Sequence, residues 1–154
     1  MIEYRITKYD PAKRNKQGRY LDVEEWTEFC DVGKIVTLEE YEQVEASYIK
    51  TAIEFLSSTS ITKLNIVDFE DYQNRNVRRE NESIGVGELE NELRSLLRGD
   101  FWCKLESELG YVHVGYDFYM YVGVSSLKPG MIEEAKSRGL FVEEFTSPYH
   151  PDNC

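Results

Sequence analysis

Residues 101–124, FWCKLESELGYVHVGYDFYMYVGV, alternate in side-chain character over almost their whole length. Period-two alternation is the signature of a strand, because successive side chains point to opposite sides of a pleated backbone. The SELG turn divides the segment into two runs, 101–106 and 111–124, which predicts an antiparallel hairpin. One face would carry Phe101, Cys103 and Leu105 beside Val112, Val114, Phe118, Met120 and Val122, and that face is a core. The other would carry Trp102, Lys104 and Glu106 beside Tyr111, His113, Asp117, Tyr119 and Tyr121. A face so rich in rings is costly to leave wet and useful for contact, since Tyr and Trp offer large rigid area with a polar tip. Two readings follow: a partner docks there, or residues 20–36, with Trp26 and Phe29, fold over it as a second small core.

The rest of the chain supplies the layer that such a sheet needs. Ile2, Tyr4 and Ile6 alternate with Glu3, Arg5 and Thr7, which predicts a first strand. Residues 10–20, with Pro11, Asn15 and Gly18, read as a basic loop. Thr37 followed by Glu40 forms a capping box, and over 38–56 Tyr41, Val44, Tyr48, Ile49, Ala52, Ile53, Phe55 and Leu56 share one broad helical face. ITKLNIVDFE reads as a second strand, and the polar residues 71–83 as a long loop. Leu89, Leu93, Leu96 and Leu97 predict a helix over 87–98 closed by Gly99, and Gly139 followed by Leu140 closes a third helix that starts near Pro129. LFVEEF ends the series as a strand. The predicted order is β-α-β-α-β-β-α-β, an α+β fold in which a mostly antiparallel sheet of about five strands packs against two or three helices. Residues 1–154 are expected to form one domain, long enough to bury a core without a disulfide or metal staple.

Charge and cysteine usage narrow the class of function. The net charge is −11, and residues 21–70 concentrate it with twelve acidic against three basic side chains. A field of that sign repels phosphates and draws in cationic partners, so direct nucleic-acid binding is disfavoured. Cys30, Cys103 and Cys154 are odd in number and widely spaced, which suits free thiols and predicts a cytoplasmic protein. No run of residues is long and apolar enough to predict a membrane helix.

Few residues point to chemistry. Glu45 falls inside the apolar stripe of the long helix, where a carboxylate must be paired, protonated or exposed at a pocket. A structural pair with Arg5, a tyrosine hydroxyl or His113 competes there with an acid or binding role. His113 and Asp117 share a face, yet four residues of continuous strand hold them about 13 Å apart. A bulge at Gly115 would shorten that distance, whereas Cys103 and His113 fall on opposite faces and cannot form a nucleophile pair. His150 and Cys154 lie in a terminal SPYHPDNC that reads as disordered and has no further ligand pair, so no metal or other cofactor is expected. The glycines of SIGVGE precede a helix without a clear strand before them, which does not make a phosphate loop.

Three stretches carry a resemblance. YRITKYDPAKRNKQGRYLDVEEWTEFCDVGK, WCKLESELGYVHVGYDFYMYVG and IEEAKSRGLFVEEFTSPYH, about half of the chain, resemble a group of uncharacterised small bacterial proteins that look like immunity proteins of bacterial toxin systems. The resemblance implies a small acidic cytoplasmic protein that binds and neutralises a cognate toxin.

Composition leads to the expectation of a non-enzymatic acidic interaction protein, and the resemblance implies more concretely an immunity protein that occludes a basic toxin surface, such as a nuclease cleft, without contacting nucleic acid or membrane itself. Its expected contacts are Asp22, Glu24, Glu25, Glu28 and Asp31, the helix acid Glu39, and the rings of Trp102, Tyr119 and Tyr121. The alternative is a small-ligand-binding protein or enzyme in which Glu45, His113 and Asp117 line one pocket. A third reading, an RNA-binding sheet with stacking rings, conflicts with the net charge of −11.

Overall fold

In the computed structural model, residues 1–13, 25–73 and 79–150 are described. They form an α+β fold in which three helices lie against a seven-stranded antiparallel sheet. The strands are β1 (Ile2–Thr7), β2 (Lys63–Glu70), β3 (Ser83–Gly85), β4 (Trp102–Ser107), β5 (Gly110–Val114), β6 (Met120–Val124) and β7 (Phe141–Glu144). Their order across the sheet is β3-β2-β4-β5-β6-β1-β7. The helices are α1 (Leu38–Ser57), α2 (Leu89–Arg98) and α3 (Met131–Ser137).

Two strands exceed the expected five, and each has a local cause. The run 111–124 is not one strand but two, because the chain reverses through a 3-10 turn at Tyr116–Phe118. There Asp117 and Phe118 take left-handed backbone angles, φ +60° and +64°, and the Gly115 N–H meets the Tyr119 carbonyl at 2.8 Å. The register pairs Val112 with Val122 and Val114 with Met120, so the reversal is centred on residue 117. The second addition is β3, which claims Ser83 from the expected loop and pairs along β2. The Glu80 carboxylate anchors the approach to β3 by accepting the Asp68 and Phe69 N–H groups at 3.0 and 2.8 Å, where β2 bulges.

The helices form where local chemistry starts and stops them. Thr37 Oγ1 accepts the Glu40 N–H at 3.1 Å and so satisfies a donor that the first turn of α1 leaves free. Gly99 and Gly139, at φ +77° and +86°, close α2 and α3 in the left-handed conformation that lacks a steric penalty only for glycine. One face of the sheet, with Tyr4, Ile6, Leu64, Ile66, Cys103, Leu105, Val112 and Val122, packs against Tyr48, Phe55 and Leu56 of α1 and the four leucines of α2. Burying each leucine contributes about 1.5–3 kcal/mol against leaving it in water, which fixes the short α2 in place.

Trp26 and Phe29 do not cover the second sheet face. They pack on the helix side, with Trp26 against Tyr41 and Phe118 at ring separations of 5.3 and 4.9 Å and Phe29 against Tyr41 at 5.0 Å. The second face is covered by residues 145–150, of which the sequence reads Phe145 as the end of the last strand and the residues from Ser147 onward as disordered. The cause is a set of polar and ring contacts to β4, β5 and β6.

Candidate functional site

Two regions hold the residues that matter, one on the second sheet face and one at the end of the sheet. On the second face His113 is fully buried. Its Nε2 lies 2.9 Å from Glu106 Oε1 and its Nδ1 lies 2.7 Å from Ser147 Oγ. A carboxylate only accepts, so the Nε2 proton is donated to Glu106 and Nδ1 accepts the Ser147 hydroxyl. Ser147 Oγ in turn accepts the Tyr149 N–H at 3.1 Å. Burial foremost, then the neighbouring Lys104 and His150, push the His113 pKa down to about 3 against the opposing pull of Asp68. The imidazole is therefore neutral at pH 7.

Lys104 is buried next to this group and joins it to residues 145–150, a strap across this face. Its Nζ lies 2.7 Å from Asp68 and 3.9 Å from Glu106, and it donates to the Tyr149 carbonyl at 3.3 Å. Tyr111 stacks on His113 at 4.3 Å and gives its hydroxyl proton to Glu3 at 2.9 Å. Serine, histidine and carboxylate lie in sequence here, as in a hydrolase relay, but Ser147 and His113 are both sealed from solvent. The arrangement therefore acts as a clamp on residues 145–150 and presents no nucleophile to a substrate.

The second region is a cleft of about 270 Å³ where β4 starts and β5 ends. Glu28, Phe29 and Cys30 line one side, Arg98 and Gly99 the helix end, and Tyr72, Trp102, Tyr116 and Asp117 the other walls. Its geometry is rigid. The Trp102 indole N–H is donated to the Val114 carbonyl at 2.7 Å, the Tyr48 hydroxyl to the Phe118 carbonyl at 2.9 Å, and the Tyr9 hydroxyl to the Asp117 carbonyl. Left-handed angles at two non-glycine residues are costly and persist only where the surroundings over-determine them, as these tyrosines do. Burial, then the neighbouring Tyr116 and Glu70, raise the Tyr72 pKa, so its phenol stays protonated.

Glu45 belongs to neither region. It is buried on α1 and takes two bonds from Arg98, at 2.9 and 3.0 Å, and one from Arg94 at 3.2 Å. Its partners are thus arginines of α2 and not Arg5 or His113. The Tyr41 hydroxyl lies buried near this group, and burial foremost, then the Glu45 carboxylate, raise its pKa against the opposing pull of Arg98. Asp117 lines the cleft, His113 sits under the strap and Glu45 lies between α1 and α2, so these three residues do not line one cavity.

The remaining expected contacts are dispersed. Asp22 and Glu24 lie outside the described residues, as does Cys154. Glu25 pairs with Lys8, and Asp31 accepts the Thr27 and Glu28 N–H groups at 2.9 and 3.3 Å, so it shapes its own turn. Glu39 is exposed in the first turn of α1. Tyr121 is buried against Phe145 and Tyr149, and Tyr119 is half-buried against Tyr9. Of the three rings, only Trp102 reaches the cleft. Sequence reasoning missed Tyr72 and Tyr116, which have no periodic signal because both lie in turns, and Ser147 and Tyr149, which lie beyond the last strand.

The first SIGVGE glycine, Gly85, ends the three-residue β3, and Glu88, Glu90 and Glu92 crowd the helix start where a phosphate would sit. Among the described residues, no three His, Cys, Asp or Glu side chains are grouped to hold a metal ion, and no helix is long and apolar enough to cross a membrane. Comparison with protein families, with characterised proteins and with solved structures finds no match.

Proposed function

We propose that this chain is a non-enzymatic binding protein that neutralises a cognate bacterial toxin by covering a basic surface on it, as an immunity protein of the cytoplasm. One observation carries the reading. The groups able to do acid–base chemistry, Glu45, His113 and Glu106, are committed to internal hydrogen bonds, while Glu28, Glu39 and Asp117 are exposed. Exposed acids with no cationic partner among the described residues, on a chain of net charge −11, speed the capture of a cationic target and oppose wrong partners. Free thiols at Cys30 and Cys103 fit a reducing compartment.

The test is co-expression with the product of the adjacent gene. A stable complex that weakens as salt rises, together with relief of that product's toxicity, supports the reading. A toxic product that the chain neither binds nor neutralises counts against it.

A further inference from the structure

The cleft at the end of the sheet joins features that the rest of the described surface keeps apart. Tyr116 and Tyr72 are 76% and 48% exposed, although both are large rings. Glu28 and Asp117 line the same cleft, and no lysine or arginine among the described residues pairs with either. Arg98, the cation of the lining, is already neutralised by Glu45, with Glu42 at 4.0 Å. The space is thus rimmed by two carboxylates without a cationic partner among the described residues and walled by rings, with its own cation committed elsewhere. At about 270 Å³ it lies below the ~300–1,000 Å³ of most small-molecule sites, a size suited to one inserted side chain.

The chain itself shows cations held in such surroundings. Arg98 lies over Phe29 at 4.9 Å and binds Glu45; Arg5 lies over Phe145 at 4.2 Å and binds Glu143; Arg79 lies over Phe101 at 5.3 Å and binds Glu82 and Glu92. These three arginines each have a ring on the face and a carboxylate at the edge; Lys8 sits likewise over Tyr9 and Trp26 and pairs with Glu25, whereas Arg138 pairs with Glu54 and Glu134 with no ring on its face among the described residues. A guanidinium suits this pairing because it is planar, weakly hydrated and forked, whereas an ammonium is a strongly hydrated point charge. Because the cleft walls are already fixed by the bonds to Val114, Asp117 and Phe118, little ordering entropy opposes insertion.

We propose that this cleft receives an arginine side chain projecting from the surface of a protein partner, with the guanidinium against the Tyr72 and Tyr116 rings and paired with Glu28 and Asp117. This inference rests on the binding function above and deepens it by naming the docking point. A complex anchored this way places Trp102 at the base of the contact and the acids of residues 25–31 on its flank, where they meet the basic surface around the arginine.

The test is a titration of the whole protein with N-acetyl-arginine amide, followed by amide shifts and by the Trp102 indole N–H, against the lysine and citrulline counterparts. Saturable millimolar shifts are expected at residues 115–117, Tyr72 and Trp102 for arginine, at least threefold weaker for lysine and absent for citrulline. Tyr116→Ala with Asp117→Asn should abolish them, and asparagine tolerates the left-handed backbone that residue 117 needs. Unchanged amide shifts away from the cleft verify that this variant folds; Glu28→Gln, on a separate loop, should weaken arginine binding at least threefold. Shifts that citrulline reproduces, or that persist in the double variant, overturn the proposal. Toxin binding undiminished in the double variant overturns the docking point while leaving the binding function intact. Failure of the wild-type chain to bind the toxin at all is the failure of the function itself.

Discussion

The Nδ1 atom of His113 lies 2.7 Å from the hydroxyl of Ser147, a contact between the centre of the sheet and the chain's C-terminal segment. A histidine on β5, the central strand, has neighbours on both adjacent strands, Lys104 on β4 and Tyr121 on β6. It would be half-solvated if the sheet had only one covered face. Ser147, Tyr149 and His150 supply the cover for the second face, and the neutral imidazole is the polar peg that holds it. The fold therefore depends on the protonation state of a side chain that titrates near neutral pH in a free chain.

Acid destabilises the fold through His113, and the sign follows from its depressed pKa. The unfolded chain takes up a proton near pH 6.5, whereas the folded chain resists until about pH 3. Stability from this group is full above about pH 6.5 and is lost progressively as the pH falls toward 3. The slope approaches one proton, about 1.4 kcal/mol per pH unit, so the loss between pH 7 and pH 5 is about 2 kcal/mol. Urea midpoints at both pH values should show this loss in the wild type and lack it in His113→Gln, which is less stable at pH 7 but has nothing to protonate.

Glu45 is a clamp between α1 and α2. Its carboxylate is buried, while the side chains of Arg94 and Arg98 are 35% and 27% exposed. Removing one member of a buried pair is costly because the other charge stays desolvated, but arginines with this much exposure recover part of their hydration. Glu45→Ala should cost about 2 kcal/mol in urea denaturation, and Glu45→Met with Arg98→Met should cost less than the sum of the single changes. An additive double variant would mean that the two side chains do not act as a unit.

The helices and their ends were legible because their signals are local. Thr37 and Glu40 mark the start of α1, and Gly99 and Gly139 mark the ends of α2 and α3, each within a single turn of chain. The reversal at Asp117 was hidden by parity: Val112 and Val114 before it, and Met120, Val122 and Val124 after it, are all even-numbered core positions. Alternation thus continues through the turn as though the strand were unbroken. The strap was illegible for a different reason. Residues 145–150 have no period of their own, and their order comes from a histidine more than thirty residues earlier. The face opposite the core, with Trp102, His113 and Tyr121, followed directly from alternation, but what covers it did not.

Two glycines in the hairpin are fixed by close approach. A Cβ on Gly110 would lie 2.6 Å from the Gly123 carbonyl oxygen, a backbone atom of the paired strand, and a Cβ on Gly123 would lie 2.3 Å from the Tyr111 ring. Gly87 has open space at the same position. Gly110→Ala and Gly123→Ala should each cost about 1–3 kcal/mol as overpacking. Gly87→Ala should stay within about 0.5 kcal/mol of the wild type. Thermal unfolding of the three variants side by side checks the order.

Tyr149 is the part of the strap that keeps water from His113. Its ring lies 5.3 Å from Trp102, 6.0 Å from Tyr121 and 6.2 Å from His113, while its carbonyl takes the bond from Lys104. Tyr149→Ala deletes the ring but keeps the backbone partners of Ser147 and Lys104, so the clamp loses its shield before its hydrogen bonds. Because burial is the largest cause of the depressed His113 pKa, opening this side should raise it by roughly one unit or more toward its ordinary value. An NMR titration of the His113 ring protons reads that shift directly, and the Trp102 emission should move to the red as water reaches the indole. The stability cost at pH 7 should be about 2 kcal/mol, from lost apolar burial. A His113 pKa unchanged in Tyr149→Ala would mean that the flanking strands desolvate the imidazole by themselves and that the strap rests on a site already dry.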